Sequence, residues 1–340
     1  MTLFSRPHWL RSTGLLLVAA TTTLAPMLTF ATDLTLYSGR GESFVRPIVQ
    51  QFERDTGLQV QVRYGDTSAL AILLQEEGSR TPADLYWGQD AGAMGALAQA
   101  GILATLPESV YADLADLFKS RTGQWVATSG RSRVLAYSPE RAPEAEHPNS
   151  VFDLVNPEFR GRVGIAPTNG GFQAFVTAMR LEHGDARTLE WLIGMRANNA
   201  QVYRNNTTQV IAIAEGEIDY AMVNNYYLPR FAIPNPDFPV RQKFLAAGDV
   251  GNMMNVAGIA MLAASSNQAH AIQFIEYLLT PAAQQYFTSV VNEQSVRPDV
   301  ISNPILTDLA EALAAAPVID LDALADLDGT LALLREAGWL

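Results

Sequence analysis

The chain has 340 residues, of which 48% are hydrophobic and 17% are charged, and this composition favours a folded protein of two compact units. Its 35 acidic residues outnumber the 23 basic ones, which excludes a protein that grips nucleic acid or an anionic membrane through a positive surface. The chain contains no cysteine, and this excludes disulfides, thiolate metal sites and cysteine nucleophiles.

The first residues have the pattern of a secretion signal. Arg6 and Arg11 precede an apolar run from Gly14 to Phe30, and the small residue Ala31 follows it. A transmembrane anchor is the alternative, but three threonines and Pro26 interrupt the run, which is short for a spanning helix of about 20 residues. We therefore predict that residues 1–31 are a signal peptide cleaved near Ala31. Export without a cysteine for lipid attachment favours a periplasmic location.

Strands and helices are predicted to alternate through the first part of the mature chain. Hydrophobic periodicity and turn residues predict strands at 34–37, 58–64 and 83–87, and helices from Ser43 to a cap at Gly57, from a cap at Thr67 to Gly78, and at 91–100. This alternation predicts an α/β fold with a parallel sheet and right-handed crossovers.

The alternation resumes further along the chain. The same signals predict strands at 162–166, 220–223 and 256–262. They also predict three helices, one at 171–181, a second that ends at Gly216, and a third at 281–287 after a cap at Thr280. Polar residues follow the strands at 83–87 and 220–223, so both polar runs lie at the strand edge where open α/β sheets bind ligands. The two segments, each a strand followed by polar residues, resemble one another. The alternative to a shared role in binding is that this resemblance between two short units arose by chance.

The run Asn224-Asn225-Tyr226-Tyr227 is the most informative segment. Its four polar tips are poorly suited to a hydrophobic core, because each would need a hydrogen-bond partner there. A phenolate oxygen is a hard anionic ligand that suits a hard trivalent cation, and a bound cation can keep a phenol ionised well below its ordinary pKa of about 10. The alternative is an aromatic pair that packs beneath the next loop.

Two further runs are candidates for anion binding. Pro167 to Gly171 joins a strand to a helix, where free backbone amides can cradle an anion, although ordinary turn chemistry explains the same residues. Arg131 and Arg133 place two guanidinium groups beside a strand, where one of them can clamp an anion or form a surface salt bridge.

The sequence carries no positive sign of catalysis. The glycine turn at 39–44 fails the dinucleotide fingerprint because Phe44 stands at the third glycine's place. The four histidines are scattered, and no Gly-x-Ser-x-Gly elbow is present. We therefore predict that the protein is not an enzyme, with an exported hydrolase that uses Asp84, Asp90 and Glu42 as the catalytic alternative.

The ordered set of these motifs resembles the ferric-ion-binding periplasmic proteins of ABC uptake systems. The motifs are the signal peptide, Leu36-Tyr37-Ser38-Gly39, Ala83-Asp84 before Gly88-Gln89-Asp90, Ser129 to Arg133, Asn224 to Leu228, and Gly251-Asn252 with Asn255 to Gly258. The resemblance covers the whole mature chain, and its Asn-Asn-Tyr-Tyr run is more specific than the glycine turns.

The resemblance implies an α/β fold of two lobes, of the type II periplasmic binding protein kind, with a ligand cleft between lobes joined by hinge strands. The implied segments are the first part of an N-lobe at 32–131, a C-lobe at 132–256, the second part of the N-lobe at 257–307, and C-terminal helices at 308–340 that pack on the C-lobe. Closure by hinge motion around the ligand is then expected.

The resemblance also implies the ligands. Tyr226 and Tyr227 are the expected ligands of Fe³⁺, and a synergistic anion, carbonate or phosphate, completes the coordination. The positions expected to contact the anion are Gln89, Arg131, Thr168, Asn169, Gly170, Gly171, Asn206 and Asn224.

The chain departs from the family's pattern at two positions. Gly41 stands where the family has a histidine ligand, and Gly88 stands where it has an acidic ligand, and neither can coordinate through a side chain. Either the two tyrosines, the anion and water hold the ion, or Glu42, Asp90 or Tyr203 takes part in the coordination.

The function predicted from the resemblance is that of the solute-binding component of an iron(III) ABC uptake system. A monomer would bind Fe³⁺ and deliver it to an inner-membrane permease, with no role for nucleic acid. The alternative is a protein that binds a small anion or organic solute, such as phosphate, a phosphonate or thiosulfate, without metal.

Overall fold

The computed structural model describes residues 33–340, and the predicted signal peptide lies outside the described residues. The strands are β1 (Leu34–Ser38), β2 (Val60–Tyr64), β3 (Leu85–Gly88), β4 (Val126–Tyr137), β5 (Val163–Ile165), β6 (Gln201–Val202), β7 (Tyr220–Asn224), β8 (Arg241–Lys243) and β9 (Met254–Met261). The α-helices are α1 (Glu42–Thr56), α2 (Thr67–Glu77), α3 (Ala91–Gln99), α4 (Gly170–Ala197), α5 (Asn206–Glu215), α6 (Pro229–Ala232), α7 (Gln268–Leu278), α8 (Pro281–Tyr286), α9 (Leu309–Ala315) and α10 (Leu327–Glu336). Within residues 33–340, no helix combines the length and the apolar character that crossing a membrane requires.

The ends of the helices follow local capping chemistry. Gly57 ends α1 at a φ of 80°, in the left-handed region that favours glycine, and Thr280 caps α8 by accepting a hydrogen bond from the Ala283 amide, as predicted. The predicted cap of α2 at Thr67 is wrong. Asp66 caps this helix instead, because its extended backbone lets its carboxylate accept hydrogen bonds from the amides of Ser68 and Ala69.

Thr67 has a different role, at the turn after β1. Its hydroxyl donates a hydrogen bond to the Gly39 carbonyl oxygen at 3.2 Å, and its carbonyl accepts one from the Tyr86 hydroxyl at 2.7 Å. A Cβ atom on Gly39 would lie 2.7 Å from the Thr67 Cα, so only glycine permits this close approach. The turn therefore fixes the start of α2 beside the end of β3.

In the part of the chain that the structure describes, one continuous sheet of nine strands organises the fold. Its order is β2-β1-β3-β9-β4-β7-β5-β6, and β8 pairs with β4 outside this path. The inner strand β4 pairs with β9 through Ser132 and with β7 from Arg133 onward, so it links the first group of strands to the second. This two-group arrangement agrees with the predicted α/β fold of two lobes.

The predicted parallel sheet is only partly right. β1 pairs in parallel with β2 and β3, and β5 pairs in parallel with β6 and β7, as the strand–helix alternation requires. The contacts of β4 and β9 are antiparallel, because these long strands run between the two groups instead of returning through a helix. The sheet is therefore mixed.

The hydrophobic core lies on both faces of this sheet. A large cluster contains the buried rings of Phe52, Trp87 and Phe274, and the rings of Phe52 and Phe274 meet edge to face with centroids 4.9 Å apart. A smaller cluster around Val134, Val210 and Val223 packs α5 against β4 and β7. This packing fixes the positions of the strand ends, and the polar residues that follow β3 and β7 therefore lie at one cleft.

The C-terminal segment, predicted to pack on the second lobe, contacts both groups of elements. The Asp322 carboxylate accepts hydrogen bonds from Trp125 Nε1 at 2.5 Å and from the Ser120 hydroxyl at 3.2 Å, and residues 321–325 lie against α3. Further on, α10 packs on α4, where the Thr330 and Thr177 hydroxyls are 2.7 Å apart.

Candidate functional site

The two tyrosines lie together just beyond the end of β7. Residues 225–227 form a single helical turn, in which the rings of Tyr226 and Tyr227 stack with centroids 4.4 Å apart and their hydroxyl oxygens are 3.1 Å apart. Asn225 fixes this turn to β4, because its side-chain oxygen accepts a hydrogen bond from the Ser132 amide at 3.2 Å. Two phenolic oxygens therefore reach one point in the cleft.

The surroundings of Tyr226 keep its phenol neutral. Burial raises the pKa of this hydroxyl well above its usual range, the neighbouring Tyr227 raises it further, and the Arg131 guanidinium opposes both effects. The side chain is 6% exposed. A phenolate at this position therefore requires a cation that replaces the proton.

A cavity of about 260 Å³ contains most of the predicted site residues. It lies where α2, β3, β4, β7 and the start of α4 converge. The predicted residues that line it are Gln89, Asp90, Arg131, Asn169, Gly170, Gly171, Asn224, Tyr226 and Tyr227.

Arg131 and Arg133 differ in what they bind. Both are buried, but Arg133 donates to the carbonyl oxygens of Gly171, at 3.1 Å, and Met222. Arg131 lines the cavity, and its Nη1 is buried without a hydrogen-bond partner in the described part of the chain. A guanidinium at a cavity wall that is not fully engaged by the described residues is suited to bind an anion.

The start of α4 forms another part of the cavity wall. Asn169 caps the helix, and its side-chain oxygen accepts hydrogen bonds from the Phe172 amide at 3.3 Å and from the Asn206 side chain at 3.1 Å. Asn206 in turn accepts one from the Asn224 amide at 3.1 Å. The first amides of α4, at Gly170 and Gly171, have no acceptor within the helix and lie at its positive end. Both features favour an anion here.

Asn206 and Thr168 do not line the cavity. Asn206 is 1% exposed and bridges the start of α4 to the end of β7, so it supports the wall from behind. Thr168 is exposed to solvent beside the helix start.

The three additional ligand candidates are placed differently. Asp90 lines the cavity, while its carboxylate caps α3 by accepting a hydrogen bond from the Ala93 amide at 3.2 Å. Glu42 is exposed and pairs with Arg46 at 3.0 Å. The Tyr203 hydroxyl donates to Glu217 at 3.0 Å, and burial followed by this contact raises the pKa of Tyr203 to about 12. Only Asp90 of these three shares a cavity with the tyrosines in the described structure.

The two glycines that replace family ligands differ in the space around them. A Cβ atom on Gly88 would lie 2.9 Å from the Met94 methyl group and 3.1 Å from the Tyr86 ring, so a side chain there would require both neighbours to shift. A Cβ atom on Gly41 would meet its nearest neighbour, the Phe44 ring, at 3.7 Å, which is an ordinary contact distance. Gly41 lines a second cavity, of about 140 Å³, which also touches both tyrosines.

This second cavity holds charged residues that the sequence analysis missed. Arg40 and Glu293 form a buried ion pair at 2.8 Å, and the Arg230 guanidinium carbon lies 5.2 Å and 4.9 Å from the ring centroids of Tyr226 and Tyr227. No local pattern predicts the ion pair, because its partners are far apart in the sequence. Arg230 follows Tyr226 by four residues, which is the spacing of one helical turn and the one available signal.

The described residues contain no group of three or more His, Asp or Glu side chains arranged to hold a metal ion.

Comparison with known proteins places the chain in a family. The profile of the bacterial extracellular solute-binding proteins matches residues 37–285. The chain is 32% identical to the major ferric iron-binding protein of Neisseria meningitidis over 327 residues, which cover 95% of this chain and 97% of that protein. It is 29% identical to the Fe(3+)-binding periplasmic protein of Serratia marcescens over 310 residues, which cover 90% of each.

A solved structure agrees with these relatives. The iron-bound HitA of Pseudomonas aeruginosa matches with a TM-score of 0.80 and 32% identity, covering 90% of this chain and 99% of that one. The chain belongs to the bacterial extracellular solute-binding proteins, in the group that includes the ferric iron-binding proteins. Both the two-lobe fold and the family resemblance predicted from the sequence are thereby confirmed.

Proposed function

We propose that the protein binds Fe³⁺ through Tyr226 and Tyr227 and holds a synergistic dianion, carbonate or phosphate, between Arg131 and the start of α4. The observation that carries the proposal is the cavity that brings two phenol oxygens 3.1 Å apart to the same walls as Arg131, whose buried Nη1 has no hydrogen-bond partner within residues 33–340. The N. meningitidis relative and HitA, which are named or solved as iron-binding proteins, support it.

The charges of these groups fit a ferric ion. Two phenolates leave one of the three positive charges of Fe³⁺, a dianion turns this into one negative charge, and Arg131 balances it. The charges of Asp90 and Arg230, which also lie beside the tyrosines, are opposite and cancel each other. Divalent ions would leave the same set with an uncompensated negative charge in a buried place. The balance therefore favours the trivalent ion together with the anion.

The protein would act as the solute-binding component of an ABC uptake system. In this role it captures Fe³⁺ in the periplasm as a monomer, closes around it and delivers it to an inner-membrane permease, with no catalysis. The signal-peptide pattern at 1–31 and the periplasmic relative from S. marcescens support this location.

A spectroscopic titration tests the metal ligands. Purified protein that is mixed with ferric citrate should develop a visible tyrosinate-to-iron charge-transfer band. The band should disappear in the double variant Tyr226→Phe/Tyr227→Phe, because neither ring can then supply a phenolate. Tyr203→Phe is the matched control and should keep the band, because the Tyr203 hydroxyl forms a hydrogen bond with Glu217 and does not line the cavity.

The alternative solute class is tested in metal-free buffer. Calorimetry with phosphate, a phosphonate and thiosulfate should show only weak binding, because Fe³⁺ supplies most of the charge that holds the anion. Tight binding of one of these anions without metal, together with a colourless ferric mixture, would overturn the iron assignment.

A further inference from the structure

The second cavity contains a buried carboxylate close to the proposed iron ligands. Glu293 is 6% exposed and follows the single π-helical turn at 287–291. Its carboxylate accepts hydrogen bonds from Arg40 Nη2, at 2.8 Å, and from the Ser129 hydroxyl. Glu293, Arg40 and both tyrosines line the same cavity. The following inference rests on the proposed function.

The strand β4 carries three polar side chains at alternate positions. Because successive side chains point to opposite faces of a strand, Ser129, Arg131 and Arg133 share one face. Ser129 binds Glu293, Arg133 binds carbonyl oxygens, and Arg131 faces the cavity with one nitrogen unpartnered in the described chain. The three positions thus meet three different partners along one line.

Glu293 is negatively charged in the folded protein. Burial raises the pKa of its carboxyl, but the charges of Arg40 and Arg131 and the Ser129 hydroxyl outweigh burial and hold the pKa below its usual value. The charges of Arg40 and Glu293 therefore cancel beside the tyrosines. Since Arg133 is held by carbonyl oxygens, Arg131 is left as the guanidinium available to an anion among the described residues lining the main cavity.

We propose that Glu293 is a positioning residue that sets the charge of the anion the site accepts. By holding Arg40 in a buried ion pair, it keeps the charge of Arg40 from adding to those of Arg131 and Arg230, and this matches the site to a small dianion instead of a polycarboxylate. Without the carboxylate, the charge of Arg40 would be uncompensated, and more highly charged anions such as citrate would be favoured.

The test compares two anions in the variant Glu293→Gln, which keeps the shape of the side chain and removes its charge. Iron is supplied as ferric nitrilotriacetate, and the concentrations of phosphate and of citrate that give half of the maximal charge-transfer band are measured. The half-maximal concentration of phosphate divided by that of citrate should rise about tenfold in Glu293→Gln, because the variant binds the more highly charged anion more tightly. Because citrate and nitrilotriacetate also bind iron in solution, the free Fe³⁺ concentration is kept at the same value in every titration, so that the half-maximal concentrations report anion binding to the protein.

Three further variants separate charge from folding. Glu42→Gln removes an exposed carboxylate and should leave the ratio unchanged. Arg40→Gln leaves Glu293 uncompensated and should lower the ratio, which also tests the proposal if Glu293→Gln does not fold. The double variant Arg40→Gln/Glu293→Gln removes both charges and should restore the wild-type ratio.

The outcomes distinguish the two proposals. A wild-type protein without a charge-transfer band overturns the proposed function and, with it, the role of Glu293. A wild-type band with the same ratio in Glu293→Gln, or with no reciprocal shift in Arg40→Gln, overturns the role of Glu293 alone.

Discussion

Arg131 and Arg133 show how much a single residue's role depends on distant parts of the chain. Their spacing on the sequence predicts two guanidinium groups beside a strand. The structure separates them, because the carbonyl oxygens of Gly171 and Met222 reach Arg133 and leave Arg131 Nη1 without a partner in the described chain. Those carbonyl groups belong to α4 and β7. The residues around position 131 therefore give no indication of which arginine they will bind.

The tyrosine pair was accessible to sequence reasoning, and the buried ion pair was not. Tyr226 and Tyr227 stand out because two adjacent phenols after two asparagines suit a site better than a core. Glu293 and Arg40 look like ordinary surface charges in their own segments, and only the folded chain buries them together.

The ion pair predicts how stability depends on pH. Since the pKa of Glu293 is lowered in the folded protein from its ordinary value of 4.5, its contribution is fully present above that value and is lost as the pH falls through the folded pKa. Glu293→Gln leaves Arg40 buried without its partner and should cost about 3–5 kcal/mol at neutral pH. The difference in unfolding free energy between wild type and variant should be constant above about pH 5 and should shrink below it.

Urea denaturation of both proteins between pH 3 and pH 7 measures this difference. Glu42→Gln should follow the wild type throughout, because that carboxylate is exposed. A difference for Glu293→Gln that does not change down to pH 3 would contradict the prediction.

Among the elements, the helices and the outer strands follow local patterns, and β4 does not. Alternating apolar residues predict β2, and glycines and Thr280 predict helix ends that the structure confirms. The first half of β4 has buried polar residues on one face, including Ser129 and Arg131, so it lacks the apolar alternation that predicts a strand. Buried polar side chains conceal a strand from the pattern and at the same time supply the site.

The contact between α3 and residues 321–325 predicts the effect of one methyl group. A Cβ atom on Gly95 would overlap the Asp322 carbonyl oxygen and lie 2.9 Å from its carbonyl carbon. Since both partners are backbone, neither can move aside alone, and Gly95→Ala should lower the free energy of unfolding by about 1–3 kcal/mol. Chemical denaturation measures the loss.

Gly170→Ala is the matched control for this substitution. A Cβ atom there meets no atom of residues 33–340 within 4 Å, and alanine favours a helix over glycine, so stability should be unchanged or slightly higher. If Gly95→Ala leaves the free energy of unfolding unchanged, as expected for Gly170→Ala, the close packing of residues 321–325 on α3 is contradicted.

At the scale of the whole molecule, the sequence predicts two lobes and not how they are linked. The expected lobe boundaries at 131/132 and 256/257 lie inside β4 and β9, the strands that join the two groups. The C-terminal segment adds further contacts to both groups. These links are long-range, and their geometry emerges only when the strands have paired.

The cleft predicts a measurable closure. Gln75 on α2 and Gln173 on α4 line the same cavity of about 250 Å³, and neither lines the main cavity. Because the chain has no cysteine, Gln75→Cys/Gln173→Cys can carry two spin labels without background. If Fe³⁺ and phosphate close the cleft, the distance distribution between the labels should narrow and shift to shorter values.

The matched control places both labels on one side of the cleft. Gln75→Cys/Gln99→Cys joins α2 to α3, which pack together in the same group of elements, and its distance should not change. An unchanged distribution in the first pair, with a charge-transfer band present, would show that the protein binds iron without closing.

The polar face of β4 has a consequence for how cargo leaves. The strand changes its pairing partner from β9 to β7 between Ser132 and Arg133, which is the same stretch that presents Arg131 to the cavity. A membrane partner that pries the two groups of strands apart would bend this stretch and draw the guanidinium away from its anion. The same movement that opens the cleft would then weaken the binding of the anion, and through it the binding of the ion, so release would need no separate chemical step.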